Sequence, residues 1–150
     1  MIMAEDRELF ESLYQMGTKA LARREHSKKE LLSLFRRHTQ NTSVVESVIS
    51  ALIDNNILSE QRFADVICRS KSRHHGADYV KQFLRVHGIP EDSVKEQLEK
   101  VFENEREVAR NLLSKKLRQQ PLMTLLKQRV FLRNKGFSAD TISDIVTYKK

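Results

Sequence analysis

Arg36, Arg85 and Arg133 occupy the same place in three fifteen-residue windows, Phe35 to Ile49, Leu84 to Leu98 and Leu132 to Val146, whose starts lie 49 and 48 residues apart. A guanidinium is a permanent cation with a planar fork of donors, and it binds carboxylates and phosphates best. In each window the Arg follows an apolar residue (Phe35, Leu84, Leu132), and His38, His87 or Lys135 comes two positions later. Gly88 and Gly136 come next, with Thr39 in the first copy. Apolar residues return at Val45, Val94 and Ile142, and again at Ile49, Leu98 and Val146. The recurring Arg has two readings. Its aliphatic stem covers the neighbouring repeat, or three cations are set along one line for an anionic partner.

The other chemically capable residues form no constellation. The four glycines (Gly17, Gly76, Gly88, Gly136) are too scattered for a phosphate-cradling loop. Cys68 is the only cysteine and sits in the apolar run Val66-Ile67-Cys68, so it reads as a small buried residue, and no intrachain disulfide is possible. His26 and His38 are twelve apart and His74 and His75 are adjacent, so neither pair has the spacing of a helical zinc site. His26 reads as a corner residue. The acidic cluster from Glu91 to Glu107 reads as a solvated helix face. No enzyme, metal or cofactor is expected.

Charge points the same way. Lys and Arg number 27 against 20 acids, a net of +7. Residues 1–16 carry a net −3, residues 62–89 a net +4, residues 90–107 a net −4 and residues 108–150 a net +8. A basic balance favours polyanions or an acidic protein surface, although it also serves solubility. Met1 to Phe10 includes Glu5, Asp6, Arg7 and Glu8 and offers no apolar signal segment. No apolar run approaches the ~18 residues of a membrane span. A reducing cytoplasm is the expected compartment.

The elements that must position these residues are helices. Only 4 Gly and 2 Pro in 150 residues argue for long helices over turn-rich sheets. Phe10, Leu13, Tyr14, Gly17, Ala20 and Leu21 share one face of a first helix from Ala4 towards Glu25. Ser27 and Glu30 form a capping box before Leu31, Leu34 and Phe35. Asn41 or Thr42 caps a third helix through Leu52, and Ser59 caps a fourth. Gly76, Gly88, Pro90, Pro121 and Gly136 punctuate the rest, with Ser138 as the last cap. Leu122, Leu125, Leu126, Val130, Phe131 and Leu132 read as one apolar stripe. The spacing predicts nine helices in three triplets, an all-α fold of three tandem three-helix repeats stacked into an elongated, curved array. Repeat boundaries fall at 1–58, 59–103 and 104–150.

Four segments together resemble the RecX family of small cytoplasmic regulators of the RecA recombinase. Ala20 to Leu31, ALARREHSKKEL, matches the first-repeat signature L-A-x-R-[ED]-H-S-x-x-E-L. Ile57 to Phe63, ILSEQRF, is similar to the opening of the second repeat, L-[DS]-[DE]-x-R-F. Ser70 to Pro90, SKSRHHGADYVKQFLRVHGIP, resembles its basic helix end, glycine corner and following helix. Phe131 to Ile142, FLRNKGFSADTI, resembles the third-repeat pattern. The resemblance runs from about residue 9 to 148. Family members commonly carry G-Y-G-P where this chain has the shorter His75-Gly76-Ala77, and the first repeat lacks Gly after His38.

The resemblance implies a non-enzymatic modulator that binds the RecA filament on DNA and restrains its ATPase, strand-exchange and coprotease activities in recombination, repair and the SOS response. It implies a cytoplasmic monomer with no cofactor and no membrane contact. Candidate contacts are Lys71, Arg73, Lys81 and Arg85 in the second repeat, and Lys115, Lys116, Arg118, Arg129, Arg133 and Lys135 in the third. Each also reads as a solvated charge or a helix-end cation. Two functions stay open: filament binding, with single- or double-stranded DNA as a further partner, and a basic helical-repeat protein that binds DNA directly. A generic helical adaptor is the blander third.

Overall fold

The computed structural model describes residues 3–146. Among them are eight α-helices and one 3₁₀ turn: α1 (Ala4–Arg23), α2 (Lys28–Arg36), α3 (Thr42–Asp54), α4 (Glu60–Lys71), α5 (Ala77–Val86), the turn Glu91–Val94, α6 (Lys95–Gln119), α7 (Leu125–Asn134) and α8 (Ala139–Ile145). They divide into two units, residues 1–63 with 87–89 and residues 64–86 with 90–150. The expected repeat boundary at 58/59 falls between α3 and α4, and the one expected at 103/104 falls inside α6.

The fifteen-residue window is a helix end, a tight turn and a helix start. In all three copies the seventh residue (Asn41, Pro90, Ser138) is the N-cap of the next helical segment. Asn41 Oδ1 accepts from Val44 N at 3.1 Å and Ser138 Oγ from Thr141 N at 3.2 Å. Pro90 has no side-chain bond to offer, but its fixed φ of −68° enters the turn unaided. The apolar positions Phe35, Leu84, Leu132, Val45, Val94, Ile142, Ile49, Leu98 and Val146 are all buried. The recurring Arg36, Arg85 and Arg133 are all exposed.

In the first unit, Leu13, Leu31, Phe35, Val48, Ile49 and Leu52 form the core. The Ser27–Glu30 capping box closes in both directions, Glu30 N to Ser27 Oγ at 3.0 Å and Ser27 N to Glu30 Oε1 at 3.1 Å. Arg62 is used structurally. Its Nε donates to Glu25 Oε1 at 2.8 Å, and its Nη2 donates to the carbonyls of Asn56 and Ile57 at 2.8 and 3.0 Å.

In the second unit Ala109, Leu113, Leu132, Phe137, Ile142 and Val146 make the core. Two expectations fail here. The nine helices become eight because the segments around Leu98 and Val108 are one helix. Lys95 to Gln119 holds no Gly or Pro and is rich in Glu, Lys, Leu and Arg, all strong helix formers. A pair such as Glu96–Lys100, with the acid N-terminal, adds to it. Continuing a helix is also cheaper than nucleating another. The charge reversal near residue 107 is therefore a polarity within α6, with Glu96 in its first turn and Lys116 and Arg118 in its last, as the helix dipole favours. The second failure is the apolar stripe of α7. Leu132 is buried and Leu125 and Phe131 pack partly on the core, but Leu122, Leu126 and Val130 stand in solvent. Burial follows one face of the helix, Leu126 and Val130 lie on the other, and Leu122 falls in the turn before α7 begins.

Gly76 and Gly136 let two corners meet backbone to backbone. Gly76 N donates to the Lys135 carbonyl at 2.9 Å, and Asp78 N to the Gly136 carbonyl at 3.0 Å. A Cβ on Gly76 would lie 2.4 Å from Gly136 O, and one on Gly136 (φ +84°) 2.4 Å from Tyr79 Cβ. Gly88 (φ +78°) has open space, its added Cβ meeting only Lys29 at 3.9 Å. Gly88→Ala should therefore cost only the left-handed backbone penalty, about 1–2 kcal/mol. Gly136→Ala should cost that plus an overpacking penalty of about 1–3 kcal/mol. Chemical denaturation of the two variants measures the difference, and equal losses would contradict the tight corner.

Candidate functional site

Glu105 holds the framework of the site. It lies on α6 among residues read as a solvated acidic face, yet it is only 1 % exposed. Its Oε2 accepts from Ala77 N and from Ser138 N, each at a long 3.4 Å. Those N–H groups open α5 and α8, so one carboxylate serves two helix starts. A helix start carries unpaired donors and partial positive charge, and both suit a buried anion. Oε1 has no partner among the described residues.

Above this junction, the basic corner and aromatic rings interleave. Lys71 Nζ lies 4.8 Å from the Phe83 ring centroid. His75 stacks on Tyr79 with centroids 3.6 Å apart, and Tyr79 lies 6.4 Å from Phe83. Lys116 and Lys135 both face Phe131, at 5.5 and 6.0 Å. An ammonium over a ring face gains about 0.5–1 kcal/mol at an exposed site. That is enough to bias where a lysine points but not to neutralise it. His75 Nδ1 is 3.2 Å from the Lys71 carbonyl, which can only accept, so this nitrogen carries the proton. The pKa of His75 is lowered, first by burial and then by Lys135, Lys71 and His74, although the bond to Lys71 opposes the shift. Lys71 and Lys135 thus raise the local positive potential from two different corners.

The structure sorts the ten candidate cations. Lys71 lies over Phe83, Lys116 and Lys135 lie over Phe131, and both Lys71 and Lys135 act on His75. Arg73, exposed, follows the end of α4. Lys115 and Arg118 are exposed on the last turns of α6, Arg129 is half-buried on α7, and Arg133 is exposed near the end of α7. Lys81 and Arg85 are drawn elsewhere. Lys81 lines a groove of about 420 Å³ with Asp78, Glu91, Asp92, Glu99 and Glu103. Arg85 Nη2 pairs with Glu91 Oε1 at 2.7 Å. Sequence reasoning missed the aromatic half of the cluster by assigning Tyr79, Phe83 and Phe131 to apolar stripes. The available signal was Lys71, His75, Tyr79 and Phe83 at intervals of four across a corner.

Cys68 is buried, and its thiol is pushed up to about 11 by burial and then by Asp65. That environment opposes the thiolate a nucleophile needs. Among the described residues no group of His, Cys, Asp and Glu is arranged to hold a metal ion, and no helix is long and apolar enough to cross a membrane.

No family model matches the chain. It is 32% identical over 133 residues to the regulatory protein RecX of Neisseria meningitidis serogroup C, covering 87% of this chain and 86% of that one. It is 30% identical over 144 residues to the regulatory protein RecX of Halorhodospira halophila, covering 93% and 89%. Among solved structures it matches RecX from Lactobacillus salivarius with a TM-score of 0.79 at 21% identity, over 96% of each chain. A second crystal structure, of a regulatory protein RecX, matches with a TM-score of 0.82 at 19% identity, over 94% of this chain and 73% of that one. These two likenesses carry the fold.

Two outcomes test this geometry. Glu105→Ala strands two helix-start donors and should lose about 2–5 kcal/mol in denaturant melts, with Glu105→Gln, which keeps an acceptor, losing less. An equal loss in both would put the weight on charge instead of the bond. For His75, the folded pKa lies below its ordinary value of 6.5. The unfolded chain therefore binds this proton first as pH falls, so the residue's contribution is full above the unfolded pKa and is lost on acidification towards the folded pKa. The His75 ring signals in NMR should titrate below 6.5, and His75→Gln should flatten the fall of stability across that window. An ordinary titration curve would contradict the crowding by Lys71 and Lys135.

Proposed function

The chain belongs to the RecX family of regulatory proteins, and from that premise we propose that it is a cytoplasmic, non-enzymatic monomer that binds the RecA recombinase filament on DNA. In this role it modulates, chiefly by inhibition, the filament's ATPase, strand-exchange and coprotease activities in recombination, repair and the SOS response. The observation that carries the reading is 30–32% identity to named regulators over nearly the full length of both chains. Three repeats, 1–58, 59–103 and 104–150, supply the scaffold for this role.

The cation–aromatic cluster supports the same reading. Lys71, Lys116 and Lys135 are its centre, with Arg73, Lys115, Arg118, Arg129 and Arg133 as outer contacts. Ring-held ammonium groups have lost part of their rotamer freedom before binding, which lowers the cost of meeting an anionic surface. Lys81 and Arg85 sit among acids and contribute least. The same cluster also suits direct DNA binding. However, its rings are already faced by lysines and by one another, which leaves little free platform for base stacking.

Titration into a RecA-catalysed, DNA-dependent ATPase assay decides between them. The wild-type chain should lower turnover at substoichiometric amounts. Replacing Lys71, Lys116 and Lys135 together by Gln should raise the amount needed for half-inhibition about ten-fold or more, at about 0.5–1 kcal/mol per charge. Lys81→Gln with Arg85→Gln should change it by less than about two-fold. If phosphates dominate instead, affinity for bare single-stranded DNA should fall with log salt by about 0.7 per phosphate contacted. Full-strength binding to naked DNA with no effect on a preformed filament would reject the filament reading.

A further inference from the structure

Three large apolar side chains of the second unit stand in solvent: Leu122 is 95% exposed, Leu126 69% and Val130 42%. They are spaced by four residues. Leu126 and Val130 lie one turn apart on the same face of α7, and Leu122 lies four residues earlier, in the turn after Pro121. A single exposed Leu needs no explanation, but Leu126 and Val130 on one face of α7, with Leu122 exposed in the turn just before it, concentrate apolar surface at one place, and such patches mark interaction sites.

The patch is presented on an ordered frame. Thr124 Oγ1 accepts from Lys127 N at 3.2 Å, Gln128 Nε2 donates to the Met123 carbonyl at 2.9 Å, and Met123 N donates to the Gln120 carbonyl at 3.2 Å. These bonds fix the entry to α7, so little ordering remains to be done on binding.

Its rim has one sign. At 100° per residue, Lys127 flanks Leu126 and Val130 on one side and Arg133 on the other. From Val108 to Ala139 there are eight Lys and Arg residues and no Asp or Glu. A nucleic acid would use the cations but leave the apolar centre without a role, since its contacts go mostly to phosphates. A second copy seated on the same face would set cation against cation. A protein segment with apolar residues at helical spacing and acids on both flanks matches centre and rim together.

We propose that Leu122, Leu126 and Val130, bordered by Lys127 and Arg133, dock an acidic amphipathic helix of a protein partner. This deepens the regulator reading and rests on it for the kind of partner, but the test does not need the filament. Two fluorescent peptides of equal Leu and Glu composition serve as probes, one with Leu at helical spacing and one with Leu in strict alternation with Glu. The helical-stripe peptide should bind the full chain about ten-fold or more tightly than the alternating one, because only it can align its anchors. Leu122→Ser, Leu126→Ser and Val130→Ser combined should weaken that binding about ten-fold or more. Lys127→Gln with Arg133→Gln should weaken it less and reduce its salt dependence.

Equal affinity for both peptides, or no loss in the serine variant, would overturn the proposal. So would a wild-type dimer in sedimentation that the serine variant converts to monomer, which would make a second copy the occupant. Competition by oligo(dT) that also fails in the serine variant would assign the face to nucleic acid. The serine variant should keep its stability within about 0.5 kcal/mol, as surface changes do, and a larger loss would return the stripe to the core. A chain that binds the helical-stripe peptide but leaves the RecA filament untouched would sink the regulator reading while sustaining this one.

Discussion

Everything in the second unit depends on two chain corners meeting without a side chain between them, over a buried carboxylate. Gly76 and Gly136 remove the Cβ atoms that would sit 2.4 Å from the opposite corner. Glu105 then supplies the acceptor for the Ala77 N–H that opens α5 and for the Ser138 N–H before α8. Burying an ion costs several kcal/mol even after relaxation. Bonds to a charged acceptor return about 1.5–3 kcal/mol each, and each partly buried helix start adds up to about 2 kcal/mol. The opposing terms are of one order, so the carboxylate is tolerable only while both helix starts stay where they are. A single side chain therefore makes α5, α6 and α8 interdependent.

That interdependence places the cations. Lys71 and His75 enter the corner that ends in Gly76, and Lys135 precedes Gly136 in the other. The bond from Gly76 N to the Lys135 carbonyl, at 2.9 Å, ties the two corners directly. Lysines distant in sequence are thus brought beside one imidazole by backbone contacts. The short His75-Gly76-Ala77 corner is part of this packing: Gly76 and Ala77 are buried and His75 lies against Tyr79.

Local signals were legible in the chain, and distant ones were not. Asn41, Ser27, Ser59 and Ser138 announce helix starts because a cap is a bond to the next few residues. The nine buried positions of the windows follow from periodicity alone. The continuity of α6 was hidden because the change from acidic to basic composition resembles a boundary, whereas a helix accepts any charge on its solvent side. Thr124 caps α7 behind an apolar Leu122 that reads as part of the same stripe, which hides the helix start. Glu105 was unreadable because a buried acid and a solvated one share the same local sequence. Only the N–H groups that it meets, 28 and 33 residues away, distinguish them. Lys81 and Arg85 read like the other bases for the same reason, since their acidic neighbours arrive through folding.

The polarity of α6 gives the second unit an electrical direction. Glu103 and Lys116 are 13 residues apart on it, which is about 20 Å along a helix axis. Screening in physiological salt acts over about 8 Å, so the acidic and basic ends do not cancel one another. Lys81 and Arg85 lie by the acidic end and are partly compensated there. Lys116, Lys135 and the cations of α7 lie in a stretch, Val108 to Ala139, that holds no Asp or Glu. An anionic surface approaching this unit is therefore attracted at one end and repelled at the other, which selects an orientation before any contact forms. Leu122, Leu126 and Val130 lie in the stretch of chain that follows this attracting end. Long-range charge brings a partner there, and short-range apolar contact then discriminates between a protein surface and a bare phosphate chain.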